Sequence, residues 1–315
     1  MSRAVVVGAG GFVGSHVCEA LEARGVEVVR VSAPRLAPMS ASEAEAFVEG
    51  VETADEAGGF AGLLDSFRGA DAVINAAGDP DASSRDGAAL IAANGALPGL
   101  LGRLAEAAGV RRFVHVSSAV VQGRRPVLDA SDEFDAFSAY ARSKALGERS
   151  ARRSGPEQTV CYRPPSVHHE SRRVTQLTAR IAASPLSSVA SPGSQPTPQA
   201  LAANVGDAVA ELATIAATPP AVVIHPWEGL SCERLLELLG GRRPRRLPRR
   251  LARALVGAGA VAGRLVPAVA ANARRIEMVW FGQRQAASWL TEQGWAPPVG
   301  EEGWARLRER LERQP

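Results

Sequence analysis

The stretch AVVVGAGGFVGSHV, residues 4–17, restricts the fold more than any other part of the chain. A β-branched run ends in Gly8, Gly11 and Gly14, with an additional Gly10, and a segment of helical periodicity follows at once. A sharp turn out of a strand needs a residue that tolerates φ > 0. Bare backbone N–H groups at a helix start, helped by the helix dipole, make a seat for a diphosphate. Gly14 lets the helix lie close to the strand. The spacing predicts a strand over 4–9, a helix over 12–24, and a dinucleotide-binding turn formed by Gly8, Gly11, Phe12, Val13 and Gly14.

Four further runs, VEVVRVS (26–32), DAVINAA (71–77), RFVHVSS (112–118) and QTVCYRP (158–164), are nearly continuous in apolar character. Strands buried on both faces of a parallel sheet read this way. Helical segments lie between them, with Leu97, Leu100, Leu101 and Leu104 marking one over 88–108. Gly25 and Gly109 stand where C-caps belong. Repeated βα units predict an α/β protein with a Rossmann-type doubly wound parallel sheet and a smaller C-terminal substrate-binding part.

Residues 33–62 have weak periodicity and read as a loop with a short helix. Residues 183–200, dense in Ser and Pro, read as an exposed loop. Beyond them, 201–217 reads as a helix, AVVIHP (221–226) as a strand, and 231–240 as a helix capped by Ser231. A final helix over 301–312 docks through Trp304, Leu307 and Leu311. The order predicts a dinucleotide-binding domain over 1–165, rejoined by about 201–227, and a mainly substrate-binding part over 166–315.

The end of the second strand selects the cofactor. An Asp or Glu there would bind the adenosine ribose hydroxyls of NAD. Ser32 holds that position and Arg35 follows closely, a combination that favours the 2′-phosphate of NADP and leaves NAD possible.

The chain has 36 Lys+Arg residues and one lysine, Lys144, four residues after Tyr140 in SAYARSKALGERS (138–150). On a helix the two share a face. A phenol titrates near pH 10 and is a poor base at neutrality; a nearby ammonium favours the phenolate. The pair reads as a proton shuttle, with Lys144 also free to reach a cofactor ribose. Arginine is bulkier and directs its donors differently, which is a reason to keep one lysine in an arginine-rich chain. A hydroxyl from Ser117 or Ser118, at the C-terminal edge of the fourth strand, can point into the crevice where ligands of such sheets bind.

Taken in order, GAGGFVG, ADAVINAAG, Asn94, VSSAVVQG, YARSKALGE and YRPPSVH make the chain resemble the extended short-chain dehydrogenase/reductase family, the NAD-dependent epimerase/dehydratase group, over most of residues 1–240. The resemblance implies Ser118 rather than Ser117 as the hydroxyl, with Tyr140 and Lys144 as its catalytic partners. It places Ala76, Ala77, Asn94, Lys144, Pro164 and Val167 along the cofactor. It also implies a nucleotide-linked sugar as substrate, a ketoreduction or an epimerisation as the reaction, and a homodimer built from helices around 88–108 and 138–153. A carbonyl reductase of a non-sugar metabolite and a redox-inactive NADP sensor are the other readings. The chain departs from the family pattern at Gln122-Gly123, where Tyr-Gly is usual, at Ser32, and at Val167-His168-His169-Glu170, which alters the substrate wall. Ala119-Val120 stand where dehydratases carry Asp-Glu, so elimination of water is not expected.

Other features exclude more than they suggest. A net charge of +3 gives no footing for a nucleic-acid partner. Cys18, Cys161 and Cys232 are too few and too scattered for a disulfide framework or a metal site, and read as small buried apolar residues. Adjacent His168 and His169 on an extended chain point opposite ways, so no metal is expected there, and His115 reads as a core residue. The N-terminus shows no secretion signal and the apolar stretch 255–273 is broken by Arg264 and Pro267, which makes a cytoplasmic protein without an integral membrane segment the expectation. RRPRRLPRR (242–250) reads as a solvated basic surface, and 251–270 as a helix of the substrate part.

Overall fold

The computed structural model describes residues 3–51, 59–81, 84, 86–262 and 276–313. Six parallel strands form the central sheet: β1 (Arg3–Val7), β2 (Glu27–Val31), β3 (Ala72–Asn75), β4 (Arg112–Val116), β5 (Gln158–Arg163) and β6 (Val222–Ile224). Their spatial order is 6-5-4-3-1-2. Chain direction across the sheet reverses between β1 and β3, and ligands of open α/β sheets bind at such a switch point, beyond the carboxyl ends of the strands.

The continuous apolar runs are explained by cover on both faces. Ala4, Val6, Ala72, Ile74, Val114, Val160 and Tyr162 pack with α1 (Phe12–Ala23) and, later in the chain, the helix Ala202–Thr214. Val5, Val7, Val73, Phe113 and Cys161 pack on the other face against α2 (Gly87–Ala107) and α3 (Ala139–Ser154). Among the described residues α2 is the one helix long and apolar enough to cross a membrane, yet 72% of that window is buried inside the protein. Its leucines meet the sheet, so its apolarity is that of a core helix. A π-turn at Ala92–Ala96 interrupts it.

The C-terminal part gathers the helices Arg173–Ala183, Cys232–Gly240 and Glu301–Glu312 around Leu235, Leu236, Leu239 and Trp304. Ser231 caps the second of these, accepting from the Arg234 N–H. Trp304 and Leu307 are buried and Leu311 packs beside them, as their spacing predicts. The helix Ala202–Thr214 and β6 return to the first part, and Trp295 follows, donating to Asp207 at 2.8 Å.

Two expectations need correction. Residues 183–200 are not an exposed loop: Ser188–Ala190 pairs with Arg245–Leu247, Gln199–Leu201 pairs with Ser166–His168, and Val189, Ala190 and Ala200 are fully buried. The Ser and Pro content reflects tight connections between short ladders. The short helix expected within 33–62 is Ala41–Gly50, which starts at a capping box in which Ser40 and Glu43 bond each other's backbone, and a further helix, Ala61–Phe67, begins at the end of that range. Residues 52–58 lie outside the described residues. The helix Arg249–Ala262 buries Ala252 while Leu251 and Leu255 stand half-exposed, so its described part is a surface helix. The rest of the predicted 251–270 helix, from 263, lies outside the described residues. Arg245–Leu247 within the basic run is a strand, and Arg246 pairs with Glu233 at 2.7 Å.

Candidate active site

The glycine turn sits at the switch point. Gly8 has φ +83° and its N–H donates to the Val31 carbonyl at 2.8 Å, holding the end of β2 beside the turn. A Cβ on Gly8 would lie 2.8 Å from the Ala77 nitrogen, and one on Gly14 would lie 2.1 Å from the Gly8 oxygen. Gly11 starts α1 with no side-chain cap, and no acid stands in the first turn. Donors are thus left for an anion, in a cradle that a side chain would fill; these residues fit a dinucleotide diphosphate. Phe12 and Val13 are half-buried, and the Phe12 ring meets His16 and His169 edge-on. Ser32 and Arg35 are exposed just past β2, with no acid between them.

The helix α3 is started by Ser138, whose hydroxyl accepts from the Ala141 N–H at 3.1 Å. Tyr140, Lys144 and Glu148 follow at intervals of four and share the face turned to the sheet. Glu148 anchors that face. It forms a fully buried ion pair with Arg163 at 2.6 Å and accepts from Ser117 at 2.6 Å. Ser117 is thereby committed to structure. Ser118, half-buried, accepts from the Val120 N–H at 3.3 Å and stands near enough to the Tyr140 phenol to favour its ionised form. Of the two serines, Ser118 is the one the fold brings to Tyr140.

Lys144 is 6% exposed, and its ammonium donates to the Val116 carbonyl at 3.5 Å beside Gly78. Burial lowers its pKa to about 8, against the pull of Glu148 and Asp79. Burial also pushes the Tyr140 phenol above its ordinary value; Arg172 draws it down, Asp79 adds to the rise, and the Ser118 hydrogen bond lowers it.

Asn94, fully buried in the π-turn of α2, accepts from the Asp79 N–H at 3.0 Å and donates to the Asp79 carbonyl and to Ser143. It clasps the loop after β3 to α3. Ala76 and Ala77 form the start of that loop, half-buried beside the glycine turn. Pro164 accepts from the Ala119 N–H at 2.8 Å, and Val167 pairs with Ala200 in the short ladder. Gln122, in place of the usual Tyr, is buried and bonds Asp129 and Ser131. His168 is buried between Gln199 and Thr175 while His169 turns to Ser171 and Glu170, so the two do diverge. His115 is buried against Asn75, and all three cysteines are buried and free. No group of metal ligands occurs among the described residues.

The model of the NAD dependent epimerase/dehydratase family matches residues 4–195. The chain belongs to that family. Membership makes it an NAD(P)-dependent enzyme. No curated protein matches the sequence. Among solved structures, human epimerase family protein SDR39U1 (isoform 2) with NADPH superposes with a TM-score of 0.66 at 19% identity, over 99% of this chain and 100% of the other. TunA, an NAD dependent NDP-hexosamine 5,6-dehydratase of tunicamycin biosynthesis, gives 0.64 at 21% identity, over 100% and 99%. The dTDP-4-dehydrorhamnose reductase of Bacillus anthracis str. Ames in complex with NADP gives 0.63 at 14% identity, over 98% and 99%. At these identities the likeness is one of fold, and it spans the whole chain.

One residue escaped the sequence reading: Glu148, which was legible one further step of four along the Tyr140–Lys144 face.

Proposed function

We propose that this member of the NAD dependent epimerase/dehydratase family reduces a carbonyl or epimerises a secondary alcohol of a nucleotide-linked sugar, through Ser118, Tyr140 and Lys144. The observation that carries the proposal is the gathering of Ser118, the Tyr140 phenol and the buried Lys144 ammonium at the C-terminal edge of β4, with Lys144 donating to the Val116 carbonyl beside Gly78. In the reductive direction the Ser118 hydroxyl donates to the substrate oxygen and the Tyr140 phenol releases its proton to that oxygen. In the oxidative direction the Tyr140 oxygen takes the proton back. A bound nicotinamide supplies or accepts the hydride. Gly8, Gly11, Phe12, Val13 and Gly14 would seat the diphosphate, Lys144 the ribose, and Ser32 with Arg35 the 2′-phosphate of NADP. Ala76, Ala77, Pro164 and Val167 would line the cofactor, with Asn94 fixing the loop beneath it. Residues 1–165 with about 201–227 form the dinucleotide-binding unit of this reading, and 166–315 mainly the substrate-binding one. A homodimer belongs to it as well, to be checked by sedimentation.

The test is NADPH oxidation at 340 nm with a panel of nucleotide-4-ketosugars and simple ketones. Turnover of a ketosugar, lost in Tyr140→Phe while NADPH still binds, supports the reading. Turnover of simple ketones alone points to a non-sugar carbonyl reductase. Full activity in Tyr140→Phe refutes the assigned chemistry, and NADPH binding without any turnover indicates a sensor.

A further inference from the structure

We propose that the arginine-rich helix Arg249–Ala262 is an interfacial anchor, docking the C-terminal part on the surface of an anionic phospholipid bilayer. The proposal is independent of the reaction assigned above.

The charge of the chain is segregated. Residues 238–276 hold ten of the 36 Lys+Arg residues and none of the 33 Asp+Glu residues, which leaves 26 basic against 33 acidic elsewhere, a net charge of −7. The formal charge of +3 hides this division. Arg243 and Arg246 pair with Glu237 and Glu233, and the Arg249 guanidinium lies 5.4 Å over the Phe281 ring. Arg242, Arg245, Arg250 and Arg253 are exposed and make no ion pair among the described residues. Four unpaired guanidinium groups on one short segment are complemented by a surface of negative charge.

The helix carries two apolar strips. Ala252 is buried and Val256 and Gly259 are half-buried, so this strip meets the protein. Leu251, Ala254, Leu255 and Ala258, at intervals of three and four, form a second strip that is exposed, with Leu251 at 48% and Leu255 at 49%. A helix that served only the core would need the first strip alone. The strand Arg245–Leu247 leads into this helix, and its Arg245 N–H donates to the Ser187 carbonyl at 2.8 Å. Leu186, the residue before Ser187, is 82% exposed and adds a third leucine beside the arginines.

An exposed apolar strip edged by unpaired arginines suits a helix lying in the plane of a membrane. Its leucines enter the acyl boundary and its guanidinium groups stay among the lipid phosphates. No aromatic residue stands in 238–276. Base stacking has nothing to work with there, and the aromatic anchors of protein interfaces are missing too. The headgroup layer of an anionic membrane matches both the charge and the apolar strip.

The test is cosedimentation of the full chain with sucrose-loaded vesicles, of phosphatidylcholine alone and of phosphatidylcholine with about 30% phosphatidylglycerol. Binding should require the anionic lipid, and should weaken by about tenfold or more as salt rises from about 0.05 M to about 0.5 M. Leu251→Ser with Leu255→Ser should weaken it by about tenfold. Arg250→Gln with Arg253→Gln should weaken it by about twentyfold, each arginine being worth about fivefold near such a surface. Both double variants should keep native circular dichroism, since the four side chains are exposed. Should the serine pair lose it, Leu251→Gln with Leu255→Gln takes its place. Failure to bind the anionic vesicles, equal binding to both vesicle types, or undiminished binding in the leucine variant overturns the proposal. So does tighter binding to duplex DNA than to the anionic vesicles at equal phosphate concentration, which would make the arginines a nucleic-acid surface.

Discussion

Replacing Lys144 with Met should make the protein more stable near neutral pH while removing its activity. Burial lowers the Lys144 pKa from 10.5 to about 8, so between these values the unfolded chain holds a proton that the folded one has released. Stability must then rise with pH across that window, and below it the folded state carries a charge it is penalised for burying. A fall of this size corresponds to about 3 kcal/mol at pH 7. Met has similar reach and no charge, but it leaves the Val116 carbonyl without its donor, a loss of about 1 kcal/mol. The net expectation is a gain of about 2 kcal/mol at pH 7 that has turned into a loss of about 0.5 kcal/mol by pH 10.5, where the neutral amine still donates to Val116. Urea unfolding followed by tryptophan fluorescence reads it directly. With a slope of about 3 kcal/mol per molar, the midpoint moves up by somewhat less than 1 M at pH 7 and down by about 0.2 M at pH 10.5. A Met variant less stable at pH 7, or equally stabilised at both pH values, would show that the ammonium is not penalised by its surroundings and would refute the reasoning.

Ser118→Ala should lower kcat by about 10²–10³, as loss of one donor to a reacting oxygen does elsewhere. Ser117→Ala should leave kcat within about threefold and cost about 1–2 kcal/mol in urea unfolding, because it deprives Glu148 of a buried donor; equal kcat losses in the two variants would undo the assignment. Gly14→Ala forces a Cβ to 2.1 Å from the Gly8 oxygen, so NADPH affinity measured by fluorescence should fall by more than about tenfold, and unchanged affinity would move the dinucleotide elsewhere. Ser32→Asp places a carboxylate at the end of β2 and should weaken NADPH by about tenfold or more while strengthening NADH; a wild-type protein that prefers NADH would refute the NADP assignment.

What could be read from the sequence follows physical range. The parallel sheet was legible because burial on both faces leaves an apolar run that no surface strand shows, and α1 because Gly8, Gly11 and Gly14 each meet a steric demand inside one turn. The helix Ala41–Gly50 was legible as a short helix without bounds, because only Ala44 and Val48 are fully buried in it, and its start is marked by hydrogen bonds of Ser40 and Glu43 rather than by periodicity. The ladders of 183–200 were missed for a related reason. Three-residue strands are too short to show a period, and their partners at 166–168 and 245–247 lie far off in sequence.

The same division of range runs through the site. Tyr140, Lys144 and Glu148 recur every four residues, so one helix face carries both the proposed chemistry and the anchor that positions it. Glu148 uses both carboxylate oxygens, on Ser117 at the end of β4 and on Arg163 at the end of β5. A buried ion pair is weak ground for stability, since well-packed apolar residues of similar size do as well. It is strong ground for position, because the donors on Glu148 are directional and come from two different strands. The charge pair thus fixes where α3 stands against the sheet edge, and with it the height of the Tyr140 phenol beside Ser118. A local period can thus specify the proposed proton carrier, while its footing depends on Ser117 and Arg163, which only the folded sheet brings to Glu148.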